Sequence, residues 1–241
     1  MKKILRCERG SALVYILIAI ALLAALTVTF MEPSSQQTSS QSGFKTATAV
    51  QSQIDTIRSA IQECVLRYSN GDSSIPNGSS ESEEGARQEY PINPDSSYLP
   101  ASYQSGDRLV KNIRCPGDNA GGSANEHQLI FGGSSGKFMP ATPDLFEDWQ
   151  YYNGNDGVFF WTYTTKTDSF LQSSLEKLDE KFSECEVDVI TSGGSATNLD
   201  SDGLVSCPAN STCFRVWMIM DSDTAVHADN GTTASCGNAA P

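Results

Sequence analysis

Histidine is nearly missing from this chain: His127 and His227 are the two copies in 241 residues. Side chains able to act as a base near neutral pH are therefore scarce. His127 precedes a short strand-like run, where it reads as a surface or edge histidine, and His227 lies in an acidic tail rich in Gly and Ala. Neither the pattern H-E-x-x-H nor a glycine-rich phosphate loop occurs. An enzyme is not the expectation. Basic residues are also few, 16 Lys and Arg against 29 Asp and Glu, for a formal charge of -13. Phosphate binding needs a basic face, so nucleic acid is not an expected partner. No C-x2-C pair or Cys/His cluster appears, which argues against zinc.

One stretch lacks charge, glycine and proline altogether: the apolar run 11–31. At about 1.5 Å per residue, some 20 such residues cross a ~30 Å hydrocarbon layer. Lys2, Lys3, Arg6 and Arg9 precede it, and positive charge stays in the cytoplasm, so the body of the chain is expected to face outward. Three readings compete. A secretory signal has a shorter apolar core, roughly 7–15 residues, and a small-residue cleavage site, for which Ala24-Ala25 is a weak candidate. A plain signal anchor is the second.

The third rests on Gly10, set between the charged leader and an apolar helix that begins at once at Ser11, with Pro33 just beyond the membrane portion. This pattern resembles the N-terminal segment of type IV pilins and pseudopilins. The resemblance covers about the first 35 residues. It implies cleavage after Gly10 by a prepilin peptidase, leaving Ser11 as the new N-terminus. Loss of 1–10 removes four basic residues and Glu8, taking the charge to -16. The family usually has Phe first and Glu fifth after the cut, where this chain has Ser11 and Tyr15. In the family that glutamate is thought to neutralise a neighbour's terminal amine, so its absence points to a minor or tip-like subunit rather than the bulk of a fibre.

Cysteine indicates the compartment. Cys7 is in the leader, and the other six, Cys64, Cys115, Cys185, Cys207, Cys213 and Cys236, all follow the apolar run. An even set beyond an export signal reads as a disulfide framework, with 15 connectivities open. It fits an oxidising periplasm or cell surface. The expected pairs are Cys64 with Cys115, and Cys207 with Cys213 or Cys236.

Residues 32–45 are polar, without an apolar stripe, and read as a stalk with partial helix. From Thr46, Val50, Ile54, Ile57, Ile61, Cys64 or Val65, and Tyr68 recur at helical spacing, and Asn70-Gly71 stops the helix. Residues 70–126 read as a long loop. His127–Phe131 is a candidate strand, and Trp149–Tyr152 with Val158–Thr164 reads as an aromatic hairpin. Asp168 is the expected cap of a helix whose stripe is Leu171, Leu175, Leu178, Phe182 and Cys185, and Phe214–Met220 is the last strand.

Two further features suggest sites. Asn198, Asp200 and Asp202, followed by Gly203, match the front half of a calcium loop, but Ala209 stands where the closing glutamate belongs. An ordinary acidic turn is the competing reading, although some pseudopilin heads carry calcium loops. Trp149, Tyr151 and Trp161 could present rings on one face of the hairpin as a contact surface, against the simpler reading that they are core. The sequence thus leads to an α+β expectation: a long N-terminal helix, part membrane and part amphipathic, packed on an antiparallel sheet in a disulfide-stapled head. The domains are 1–10 leader, 11–31 membrane helix, 32–45 stalk and 46–241 head. The implied function is a minor pilin or pseudopilin-like subunit of a type IV pilus or type II secretion-like filament. Its expected partners are the bacterial inner membrane, other pilin-like subunits and the assembly platform. Apart from calcium, no cofactor is expected. The alternative is a signal-anchored periplasmic binding module outside any filament.

Overall fold

The apolar residues that recur at helical spacing from Val50 form one buried ridge, and the architecture follows from what that ridge covers. The computed structural model describes residues 11–31, 34–75, 86–101, 103, 107–117, 127–183, 185–201 and 203–220. The chain divides into two compact units, Met1–Phe44 and Lys45–Pro241.

In the first unit, α1 (Ser11–Met31) is one uninterrupted helix of 21 residues. Its apolar side chains from Leu13 to Leu26 are 51–70 % exposed on every side of the helix. Among the described residues no helix is long and apolar enough to cross a membrane; the described side chains of α1 are those of 13–27. The leader 1–10 and Pro33 lie outside the described residues.

The next helix, α2 (Ser34–Arg67), starts twelve residues before the apolar stripe announces it. Ser, Gln and Thr are only mildly unfavourable in a helix, and nothing in Gln36–Ser42 forbids one. The stretch read as a stalk is therefore helical from Ser34. Beyond Lys45, Val50, Ile54, Ile57, Ala60, Ile61 and Cys64 are all buried. The helix stops where expected. Gly71 has φ +65°, and a Cβ there would lie 2.4 Å from the Gln88 carbonyl oxygen, so glycine is required both for the turn and for the close approach.

Four antiparallel strands form the sheet, in the order β1-β2-β6-β3: β1 (Gln150–Gly154), β2 (Gly157–Thr164), β3 (Val187–Thr191) and β6 (Thr212–Met220). The aromatic hairpin is β1-β2, closed by Asn155-Asp156. Side chains alternate across the sheet. Val158, Phe160, Phe214, Val216, Val187 and Val189 pack into one core with the α2 ridge and with Leu171, Leu175 and Leu178 of α3 (Ser169–Asp179). On the opposite face, Phe159, Trp161, Ile190, Cys213 and Trp217 are covered by Leu199, Val205 and Cys207. Those three belong to the long β3–β6 connection, which carries the short pair β4 (Thr197–Asn198) and β5 (Ser206–Cys207). A register shift between Val158 and Phe159 leaves Met218 unpaired, a bulge that keeps both aromatic sets on their proper faces.

Three expectations are corrected. His127–Phe131 is not a strand: it makes one isolated bridge, Arg114 to Leu129, because Gly132 and Gly133 at positive φ turn the chain away at once. The helix α3 ends at Asp179, so Phe182 and Cys185 lie beyond it; the final turns tighten to i→i-3 bonds, Lys181 N–H to the Leu178 carbonyl and Phe182 N–H to Asp179. Asp168 occupies the N-cap position, but its side chain makes no capping bond.

Candidate functional site

The expected contact surface is core. Trp149, Tyr151 and Trp161 are 2 %, 0 % and 3 % exposed. Burial against the helices on one face and against the β3–β6 connection on the other leaves Tyr151 and Trp161 no ring face for a ligand. Trp149 instead meets Phe160 edge-on and donates its indole N–H to Gln53 Oε1 at 2.7 Å. Gln53 in turn donates from Nε2 to the Ala141 carbonyl at 2.6 Å.

The disulfide framework forms as expected where it is described. Cys64 is bonded to Cys115, tying the end of α2 to the following loop, and Cys207 to Cys213, joining β5 to β6. Cys185 is also disulfide-bonded. Cys236 lies outside the described residues.

In the acidic turn, Asn198 is the last residue of β4, and Asp200 is buried with its carboxylate accepting the amides of Leu204 (2.8 Å) and Val205 (3.2 Å). Asp156, from the β1-β2 turn, accepts the Ser201 amide at 2.5 Å and its hydroxyl. Asp200 is thus directed at its own loop, the geometry of a side-chain-stabilised turn. Asp202 lies outside the described residues. Among the described residues, no group of three or more His, Cys, Asp or Glu could hold a metal ion.

Beneath this turn lies a buried charged cluster. Arg215 of β6 is fully buried; its Nε and Nη2 donate to Asp188 Oδ2 of β3 at 2.8 and 2.6 Å, and its Nη1 donates to the Leu199 carbonyl. Trp217 Nε1 donates to the same carboxylate at 2.9 Å, and the guanidinium lies 4.6 Å from the Trp217 ring. Burial pushes the guanidinium pKa down, with Asp188, Asp156 and Asp200 pulling against it. The alternation of Asp188 and Arg215 with apolar neighbours on adjacent strands was the available signal, but β3 itself was hidden.

His127 is a second correction. It is buried rather than at a surface, and its Nε2 contacts the Asp72 carboxylate, also buried. Burial pushes the Asp72 carboxyl up, but hydrogen bonds from His127 and Ser74 outweigh it and hold the pKa below the usual value. With Nε2 engaged and the ring enclosed, His127 is not placed to act on a bound substrate. Its role is to tie the turn after α2 to the loop that carries Cys115.

Among the described residues, a concave surface lies elsewhere, around the strap 137–142. Phe138 is 82 % exposed and separates two hollows. One, of about 470 Å³, is walled by Leu109, Val110, Leu129, Met139 and Trp149. The other, of about 530 Å³, runs along the outer side of α2 past Ser52, Thr56, Ser59 and Glu63. Sequence reasoning missed it because an isolated Phe in an irregular segment has no periodicity to mark it.

These features define an α+β protein with an antiparallel sheet stapled by disulfides, preceded in sequence by an exposed apolar helix. No family model matches the chain, and no curated protein or solved structure matches it either.

Proposed function

We propose that the chain is a minor pilin or pseudopilin-like structural subunit, anchored by α1 in the bacterial inner membrane and presenting residues 46–241 in the periplasm or at the surface. The observation that carries this reading is α1 itself. A helix apolar on all sides, with side chains such as Leu13, Ile16, Leu17, Ile20 and Leu23 exposed, must be buried by lipid or by other helices. It begins at Ser11, directly after the leader glycine. On extraction from the membrane it would pack beside the helices of other pilin-like subunits, where association relies on close contact rather than on water exclusion. The disulfides suit the oxidising side of that membrane. Tyr15, in place of an acid, leaves α1 with no charge to offer a neighbour's terminal amine, so the subunit would join a filament that other pilins build.

The test is recovery of the protein in filaments sheared from cells that carry a type IV pilus or type II secretion system, beside a Gly10→Asp variant. The wild-type chain is expected in the filament fraction at a low ratio to the main subunit, and the variant is expected only in membranes. Homopolymers formed by this chain in cells lacking other pilins would contradict the role assigned to Tyr15. Complete absence from filaments would leave only the anchored binding module.

A further inference from the structure

One disulfide of the head has only one of its ends among the described residues. Cys185 is disulfide-bonded, while Cys64, Cys115, Cys207 and Cys213 bond among themselves. Cys7 and Cys236 are the cysteines left. Cys7 belongs to the leader. A signal peptidase or a prepilin peptidase would remove it, and a retained anchor would hold it on the cytoplasmic side, opposite the head. Each reading of the N-terminal segment therefore excludes Cys7, and Cys236 remains.

The surroundings of Cys185 agree. It lies in the turn between α3 and β3, and the next residue is held from three directions. Glu186 N–H donates to the Ser183 carbonyl at 2.9 Å, the Glu186 carbonyl accepts Trp217 N–H at 2.9 Å, and its carboxylate pairs with Arg58 of α2. Cys185 is thus fixed beside β6, the strand from which the C-terminal segment departs. Trp217 stands near the end of that strand, so Met220, its last residue, is only about 10 Å further on. The chain from Met220 to Cys236, about 16 residues, could span more than about 50 Å if extended, so a return to Cys185 imposes no stretch.

We propose that Cys185 is bonded to Cys236, closing the acidic segment 221–235 into a loop that returns to the start of β3. The pairing does not rest on the filament reading. Its formation turns two thiols into one disulfide; the two electrons and two protons pass to an oxidised thiol–disulfide oxidoreductase, whose own disulfide becomes a dithiol. The bond secures the tail more than the head. Val226 and three Ala are the only aliphatic residues of 221–235, too little apolar surface for a core. The unfolded chain must close a loop of about 51 residues and the folded chain one of about 16, and closure entropy grows only as the logarithm of length, so the bridge favours the folded head by about sixfold.

The experiment uses the full chain, extracted from its membranes in dodecyl maltoside with N-ethylmaleimide present throughout to trap free thiols and stop exchange. It is digested without reduction by trypsin and a glutamate-specific protease and analysed by mass spectrometry. Cleavage after Glu184, Glu186 and Arg215 separates the dipeptide Cys185-Glu186 from the peptide 187–215, which holds Cys207 and Cys213, and from 216–241, which holds Cys236. The expected product is the dipeptide joined to 216–241, with 187–215 closed internally. The dipeptide joined to 187–215, to a Cys7 peptide or to the same dipeptide of another copy would overturn the pairing, as would Cys185 recovered as its maleimide adduct. In a Cys185→Ser/Cys236→Ser variant, the unfolding constant in urea, followed by tryptophan fluorescence, is expected to rise about sixfold. A rise above about 100-fold would overturn the claim that the bond secures the tail rather than the head.

Discussion

Replacing Arg215 by Leu is expected to be among the most damaging single changes in the head. The guanidinium is fully buried and satisfies Asp188 through two bonds, with a third from Arg215 to the Leu199 carbonyl. Its removal leaves Asp188 with the Trp217 indole, and leaves Asp156 and Asp200 without the cation they face. Breaking a buried pair from one side costs about 3–5 kcal/mol, because an uncompensated charge stays behind. That is a large fraction of the roughly 5–15 kcal/mol that holds a domain folded. The double variant Arg215→Leu/Asp188→Leu removes both charges, and well-packed apolar replacements of buried pairs are often close to neutral. It is therefore expected to be more stable than Arg215→Leu alone, recovering at least about half the loss, with Asp156 and Asp200 limiting the rest. All three tryptophans belong to the head and are buried, so urea unfolding followed by tryptophan fluorescence in detergent reports this unit. A loss below about 1 kcal/mol for Arg215→Leu, or a double variant no better than the single, would refute the reasoning.

Three further outcomes follow from named contacts. Gly71→Ala should lower the unfolding midpoint, by about 1–3 kcal/mol in stability, since the backbone is at φ +65° and a Cβ would meet Gln88; a thermal melt checks this. Replacing Cys64 and Cys115 by Ala should cost about 4 kcal/mol and replacing Cys207 and Cys213 about 2 kcal/mol, because the closed loops span 51 and 6 residues; equal losses in urea would count against the loop-entropy account. Asp72 has its pKa depressed in the fold, so its contribution is present above the unfolded value of about 3.9 and fades as pH falls through the lower folded value. Acid titration of stability should therefore flatten in an Asp72→Asn variant.

How far the sequence could be read depended on whether one period ran unbroken. The α2 ridge from Val50 to Cys64 and the aromatic hairpin were legible because spacing, turn residues and residue type agreed. The pairing of Cys64 with Cys115 was legible because the helix stripe ended at one cysteine and a loop began. β3 was not: Val187–Thr191 begins two residues past Cys185, the last position of the expected helical stripe, and its Asp188 breaks the apolar run for the sake of Arg215. The aromatic residues were legible as strand but not as core on both faces, since the cover, Leu199 and Val205, comes from a segment that looked like an acidic turn. The strap bearing Phe138 has no period at all, and the Gly132–Lys137 backbone bond with tertiary contacts through Gln53 and Glu63 gives it shape.

The central claim, that α1 is the helix of a processed pilin-like subunit, is tested most directly by the N-terminal sequence and intact mass of the membrane-extracted protein, from hosts with and without a prepilin peptidase. The account predicts a chain beginning at Ser11 only where the peptidase is present. A retained Met1 in both hosts, or a start beyond about residue 25 as after removal of a secretory signal, would contradict it.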